Sequence, residues 1–245
     1  MNRLLNLLIM IPVTLYLMRY TVILPVLMEY DIGFQLSSFT FLCLVLSLMC
    51  MAAAGYAISD YFEKFPEQIR WHKTILLYII LCIAGILLGG YVTLEAGVSK
   101  LIFVYVIVAI LLWMYSAVYK RQILTGNIII AMLSSMIPLS VLLDIPPIFC
   151  LYGQFAVNLN FAVFWIIGIT IFIFLTLFSY VIIKDLEEFE SNINYDWKTL
   201  PFVMGDRYTK QVIICVNTAI IAMIFGVYFR FEMFFFNISK YYSLI

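Results

Sequence analysis

Seven long runs of apolar residues, separated by short polar segments, make up most of the chain. The runs lie near 4–28, 36–59, 73–93, 99–118, 123–143, 157–183 and 211–229. A helix needs about 20 apolar residues to cross the hydrocarbon core of a bilayer, and it satisfies its own backbone hydrogen bonds there. A last aromatic stretch, 231–245, is too short and too polar to be predicted as a further span. The pattern therefore predicts about seven or eight transmembrane helices.

The composition of the chain agrees with a membrane protein. Of the 245 residues, 65% are apolar and 11% are charged, whereas a soluble domain averages about 45–50% apolar and about 25% charged residues. A soluble protein this apolar could not cover its surface with polar groups. We therefore predict an all-α, polytopic transmembrane helical bundle that forms a single domain over residues 1–245. The first run, which continues to about Met28, is too long for the apolar core of a signal peptide and is predicted to be the first span.

The positive charges fall mainly on one side of the predicted membrane. If the N-terminus is cytoplasmic, the connections on the opposite side hold Lys100 alone. The cytoplasmic ends then hold Arg3, Lys64, Arg70, Lys73, Lys120, Arg121, Lys184, Lys198, Arg207 and Lys210. Because cytoplasmic loops carry an excess of Lys and Arg, we expect a multi-pass protein of the cell inner (cytoplasmic) membrane with a cytoplasmic N-terminus. The net charge is zero, so no basic surface indicates nucleic acid as a partner.

Two clusters of acidic residues follow the second and sixth spans, both on the predicted cytoplasmic side. The first contains Asp60, Glu63 and Glu67. The second contains Asp185, Glu187, Glu188 and Glu190. An Asp at the bilayer centre costs about 2.5–3.5 kcal/mol, so the ends of the helices are the favourable places for these side chains. By themselves the clusters are also compatible with solvated loop charge.

The spacing within the clusters resembles the motifs of the UbiA family of intramembrane prenyltransferases. Residues 59–67, S-D-Y-F-E-K-F-P-E, resemble the family's first motif, N-D-x-x-D-x-x-x-D. Residues 185–192, D-L-E-E-F-E-S-N, resemble the second motif, D-x-x-D-x-x-x-D, and D-W-K-T-L-P at 196–201 resembles the G-x-K-T-L-P segment that follows it. The Y-S…K-R…G-N pattern within 115–127 and R-L-L-N-L-L at 3–8 are similar to further family segments.

The resemblance implies a Mg²⁺-dependent transfer of a prenyl group from a prenyl diphosphate to an aromatic or lipid-alcohol acceptor, with the acidic site facing the cytoplasm. Hard oxygen ligands suit Mg²⁺, which holds one or two carboxylates and fills its shell with water and phosphate oxygens. By position in the motifs, Asp60 and Asp185 are the candidate catalytic residues. The metal candidates are Asp60, Glu63, Glu67, Asp185, Glu188 and Asn192. The candidates for substrate binding are Ser59, Lys120, Arg121, Asn127 and Lys198.

Several positions depart from the family pattern and leave other functions open. Ser59 replaces the Asn of the first motif, and Asn192 replaces the last Asp of the second. Glu replaces Asp at three further positions, and the segment after the first motif is short. The alternatives are a catalytically silent relative that binds a lipid or a partner subunit, and a transporter. Within the family, whose enzymes act in lipid or quinone biosynthesis, the resemblance favours the geranylgeranylglyceryl phosphate branch.

Overall fold

The computed structural model describes residues 2–29, 31, 33–63, 71–145, 160–187 and 200–242, and it contains helices and no strands within these ranges. The α-helices are α1 Asn2–Met18, α2 Leu24–Glu29, α3 Ser38–Glu63, α4 Trp71–Glu95, α5 Ile102–Ala117, α6 Thr125–Leu139, α7 Asn160–Glu187 and α8 Leu200–Tyr242. A π-helical turn, Arg19–Ile23, joins α1 to α2. Short 3-10 turns lie at Ser99–Leu101, Tyr119–Arg121 and Ser140–Asp144. The predicted all-α fold is confirmed.

Within the described residues, seven helical stretches are long and apolar enough to cross a membrane. They are Leu8–Met28, Ser38–Phe62, Lys73–Glu95, Ser99–Ala117, Thr125–Asp144, Ala162–Glu187 and Leu200–Tyr228. Each coincides with one of the seven apolar runs. Lipid can cover the large apolar side chains on the outside of these helices, so the chain needs no polar surface there. The chain is a multi-pass membrane protein, as the sequence predicts.

The ends of three helices differ from the sequence prediction. Helix α3 continues to Glu63 and α7 to Glu187, so Asp60 and Asp185 lie in the last turns of their helices and not after them. Helix α8 begins at Leu200, about ten residues earlier than predicted, and it continues to Tyr242 through the aromatic stretch that the sequence left outside the spans. Its early start is interrupted at Gly205, whose φ of 78° breaks the helix into two parts. Glycine adopts this left-handed conformation without the steric cost of a side chain.

The helices group into two compact units. The first comprises 1–120 and 132–170, and the second comprises 121–131 and 171–245. The prediction of a single domain stays a prediction.

In the first unit, α3 and α4 pack through small residues. Ser47 Oγ donates a hydrogen bond to the Gly85 carbonyl at 2.8 Å, and a Cβ at Gly85 would meet Met51 Sδ at 2.8 Å. Small residues at a helix interface let the two backbones approach closely inside a membrane. The largest fully buried apolar side chains of this unit are Leu15, Ile23, Leu36, Phe41, Leu44, Ile58, Val92, Val141 and Ile166.

The first unit also contains a buried ion pair that the apolar pattern does not indicate. Arg19 Nε lies 2.9 Å from Asp144 Oδ2, and the two side chains are 3% and 0% exposed. The contact is an ion pair without the alignment of a hydrogen bond. The guanidinium lies between the rings of Phe34 and Phe41, with its carbon 4.3 and 4.2 Å from their centroids. These two cation–π contacts add to the attraction between the charges.

The same pair holds the segment that leads into α3. Arg19 donates to the Leu36 carbonyl at 2.8 Å, and Asp144 Oδ1 accepts the Leu36 N–H at 3.0 Å. The Asp144 carbonyl accepts the Gln35 N–H at 3.0 Å. Backbone groups inside a membrane need such partners because no water replaces them. The Arg19–Asp144 pair therefore joins the first span, the segment before α3 and the end of the fifth span.

Candidate functional site

The first acidic motif lies at the end of a membrane-spanning helix. Asp60 is exposed in the last turn of α3, and the half-buried Ser59 precedes it. Helix α5 ends at Ala117, and the 3-10 turn that follows carries Lys120. Lys120 Nζ donates to Ser59 Oγ at 2.9 Å. The structure thus brings together two predicted site residues from distant parts of the chain and places an ammonium group next to the residue that precedes Asp60.

Aromatic side chains pack against this helix end. The ring centroids of Phe62 and Trp113 are 5.8 Å apart in an edge-to-face arrangement, and those of Tyr78 and Trp113 are 5.6 Å apart. Tyr78 also donates its hydroxyl hydrogen to the Ala109 carbonyl at 2.8 Å. Aromatic pairs of this geometry add about 0.5–1.5 kcal/mol to the burial of their area. They connect the end of α3 to α4 and α5 and so support the position of Asp60.

The second acidic motif has a different partner. Asp185 lies in the last turn of α7, and Asn127 lies in the first turn of α6. Asn127 Nδ2 donates to Asp185 Oδ2 at 2.8 Å, and the asparagine side chain is buried, with 7% of its surface exposed. Both residues belong to the second unit. The structure therefore brings together a metal candidate and a candidate for substrate binding.

Both motif carboxylates lie at the carbonyl ends of their helices. The C-terminus of a helix carries a partial negative charge, which disfavours a carboxylate and favours a cation by about 0.3–1 kcal/mol in typical cases. Asp60 in α3 and Asp185 in α7 share this placement. A bound cation at either helix end would interact favourably with the carboxylate and with the helix carbonyls at the same time.

The donor chemistry of these residues fits a hard cation such as Mg²⁺. The carboxylate oxygens of Asp60 and Asp185 are ligands of the kind that Mg²⁺ prefers, and this ion takes only one or two of them from a protein. The residues that the structure describes contain no group of three or more His, Cys, Asp or Glu side chains that could hold a metal ion. A metal ion bound by one or two of these carboxylates would need further oxygen ligands to complete its coordination.

The remaining predicted site residues are described in part or not at all. Glu63 belongs to α3 and Arg121 to a 3-10 turn, but their side chains lie outside the described residues. Four further candidates also lie outside them, namely Glu67, Glu188, Asn192 and Lys198. Their assignments stay predictions.

Sequence reasoning missed the Arg19–Asp144 pair. The available signal was the position of Arg19 inside the first apolar run, because an ionisable residue within a membrane span usually has a partner. The partner could not be chosen from the sequence, since Asp144 lies at the end of a run more than a hundred residues further along the chain.

Comparison with known proteins supports the resemblance seen in the motifs. No protein-family model matches the chain, and no solved structure matches it at a significant level. A curated relative is the digeranylgeranylglyceryl phosphate synthase of Methanosphaera stadtmanae, with 25% identity over 189 residues. The match covers 71% of this chain and 62% of the relative, so the chain spans less than two thirds of the relative's length. The relative is a UbiA-family prenyltransferase, and the similarity of this chain to the UbiA membrane prenyltransferases is therefore confirmed.

Proposed function

We propose that the protein is a Mg²⁺-dependent prenyltransferase that moves a prenyl group from a prenyl diphosphate to an acceptor at the membrane. The observation that carries the proposal is the position of Asp60 and Asp185 at the ends of long apolar helices that span the membrane. A prenyl diphosphate likewise combines a charged part and an apolar part. Its diphosphate head binds cations, and lipid or apolar helix faces can surround its prenyl tail. The similarity to digeranylgeranylglyceryl phosphate synthase supports this choice.

The proposed reaction breaks the bond between C1 of the prenyl group and the diphosphate oxygen. The electron pair of that bond leaves with pyrophosphate, the acceptor forms a new bond to C1, and the acceptor loses a proton. Mg²⁺, when bound, would neutralise the growing charge on the diphosphate oxygens. Asp60 and Asp185 are the residues that would bind Mg²⁺, each at the end of its own helix, and the Lys120 ammonium, 2.9 Å from Ser59 Oγ, would supply positive charge to the leaving group.

The relative's name suggests which substrates to test first. Its product contains two geranylgeranyl groups on glyceryl phosphate, so we propose geranylgeranyl diphosphate as the donor and a prenylglyceryl phosphate as the acceptor. An aromatic acceptor is the second choice. We also propose that both acidic motifs face the cytoplasm at the inner membrane, and the positive-inside distribution of Lys and Arg supports this orientation.

A catalytically silent relative is the second candidate function. The observation that favours it is Ser59, which occupies the place of the family's Asn in the first motif. Glu in place of Asp at other motif positions also moves the carboxylate oxygens by one methylene, which the near-ideal octahedral geometry of Mg²⁺ tolerates poorly. Such a protein would bind a lipid or a partner subunit and release no pyrophosphate.

Binding of geranylgeranyl diphosphate to the purified protein in detergent, with and without Mg²⁺, tests the proposal. We expect saturable binding that requires Mg²⁺ and is lost in Asp60→Ala and in Asp185→Ala. Asp206→Ala is the matched control, because Asp206 is an exposed carboxylate in α8 that pairs with Lys210 at 2.7 Å. Binding that is independent of Mg²⁺, or equal in all three variants, would contradict the proposal. Binding without pyrophosphate release on addition of acceptors would favour the silent relative.

A further inference from the structure

Asn127 is a buried polar side chain whose described partner is a motif carboxylate. Its surface is 7% exposed, and its amide nitrogen lies 2.8 Å from Asp185 Oδ2. Burying an amide without hydrogen bonds is unfavourable, so this contact accounts for the presence of Asn127 inside the second unit. The sequence assigned Asn127 to substrate binding, but in the structure its amide is directed to the protein's own carboxylate.

The contact lies at the N-terminal end of α6. Asn127 belongs to the first turn of this helix, so its hydrogen bond places the Asp185 carboxylate near a helix end that carries a partial positive charge. Asp185 itself lies at the carbonyl end of α7, which disfavours its negative charge. The contact with Asn127 therefore orients a carboxylate that its own helix does not stabilise.

The chemical type of the partner is informative. A Lys or Arg at residue 127 would pair with Asp185 and compete with a metal ion for the carboxylate. The amide of Asn is a neutral donor, so its hydrogen bond orients one carboxylate oxygen without adding a cation that would compete with a metal ion. Carboxylates that bind metal ions are generally hydrogen-bonded in this way by neighbouring groups, and loss of such a neighbour typically costs about 10–100-fold in metal affinity.

We propose that Asn127 is a positioning residue, which acts by holding the Asp185 carboxylate in the orientation that binds the divalent cation, and not by contacting the substrate. This inference rests on the proposed function, since it assumes that Asp185 binds the metal ion. A positioning role differs from a purely structural role, because excess metal would restore metal binding in a variant that lacks Asn127. A folding defect would not respond to metal in that way.

Titration of the full-length protein in detergent with Mn²⁺, followed by electron paramagnetic resonance, tests this role without relying on activity. Asn127→Leu keeps the side-chain volume and removes the donor, and Asn127→Ser leaves a shorter side chain that does not reach Asp185. The matched control is Asn217→Leu. Asn217 lies in α8 and donates to Ser179 Oγ at 2.9 Å, a hydrogen bond between helices of the same unit that does not involve Asp185.

We expect Mn²⁺ affinity to fall about 10–100-fold in Asn127→Leu and in Asn127→Ser, while Asn217→Leu stays close to the wild type. Raising Mg²⁺ is expected to restore the binding of geranylgeranyl diphosphate in both variants at residue 127. If either folded variant at residue 127 binds Mn²⁺ as tightly as the wild type, the positioning role is wrong although the proposed function stands. If the wild type binds neither Mn²⁺ nor the diphosphate, the proposed function is wrong and this role falls with it.

Discussion

Asp144→Asn removes the negative charge from the buried Arg19–Asp144 pair and changes the shape of the side chain very little. In the wild type the two side chains are almost completely buried, and their charged atoms lie 2.9 Å apart. The new amide oxygen can still accept the Leu36 N–H that Asp144 Oδ1 accepts at 3.0 Å. The substitution therefore leaves Arg19 as a buried cation without its counter-ion, while the hydrogen bond to the segment before α3 is retained.

The expected loss of stability is large for a single substitution. Breaking a buried ion pair by removing one partner costs about 3–5 kcal/mol, because the remaining charge is buried and uncompensated. The cation–π contacts of Arg19 with Phe34 and Phe41 remain and contribute about 0.5–2 kcal/mol. The hydrogen bond from Arg19 to the Leu36 carbonyl at 2.8 Å also remains. We therefore expect a value at the lower end of the range, about 3 kcal/mol.

A double-mutant cycle separates this pair from a general loss of packing. Arg19→Met alone leaves a buried carboxylate and is expected to cost a similar amount, about 3 kcal/mol. The double variant contains no buried charge, so it is expected to be at least as stable as either single variant. The coupling free energy is therefore expected to be at least about 3 kcal/mol, at or above the upper end of the values found for residues in contact.

Reversible unfolding in mixed micelles with increasing SDS, followed by far-UV circular dichroism, measures these free energies. Asp206→Asn is the control, since Asp206 and Lys210 form an ion pair with side chains 55% and 59% exposed. A solvent-exposed pair contributes about 0–1 kcal/mol, so this control is expected to change stability little. If Asp144→Asn costs no more than this control, or if the single and double variants are additive, the structural role assigned to the pair is wrong.

Two further predictions concern the first motif and the orientation of the chain. Ser59→Ala removes the acceptor of the Lys120 hydrogen bond and is expected to weaken geranylgeranyl diphosphate binding by at least about 10-fold, because a hydrogen bond to a charged group contributes about 1.5–3 kcal/mol. Ser59→Thr keeps the hydroxyl and should bind like the wild type. Equal binding by the two variants would count against this positioning of Lys120. Lys100→Cys, in an exposed turn between α4 and α5, is expected to react with an impermeant thiol reagent added outside intact cells, and reaction only after the membrane is opened would reverse the proposed orientation.

The spans could be predicted from the sequence because the bilayer imposes a simple requirement on them. A helix of sufficient length and apolar character is the element that crosses lipid with its backbone satisfied, and all seven apolar runs coincide with helical spans in the described residues. The bounds of α8 were less predictable. Leu200 and Pro201 start the helix ahead of a polar turn, and the kink at Gly205 depends on a backbone conformation that composition does not reveal.

The candidate site was predictable as a set of residues but not as a set of contacts. Motif spacing identified Ser59, Lys120, Asn127 and Asp185 separately. Their pairing depends on the packing of α5 and α6 against the motif helices, which places Lys120 on Ser59 and Asn127 on Asp185. For the same reason, the apolar pattern that locates Arg19 in the first span contains no information about its partner.

Transfer of the prenyl group itself is the most direct test of the proposed function. Purified protein is supplied with radiolabelled geranylgeranyl diphosphate, geranylgeranylglyceryl phosphate and Mg²⁺, and the label in the lipid product and the pyrophosphate released are measured together. We predict equal amounts of product and pyrophosphate, with both lost when Mg²⁺ is chelated and in Asp60→Ala and Asp185→Ala. Folded wild-type protein that binds the donor, yet forms no product with this acceptor or with aromatic acceptors, would contradict the proposed transferase activity.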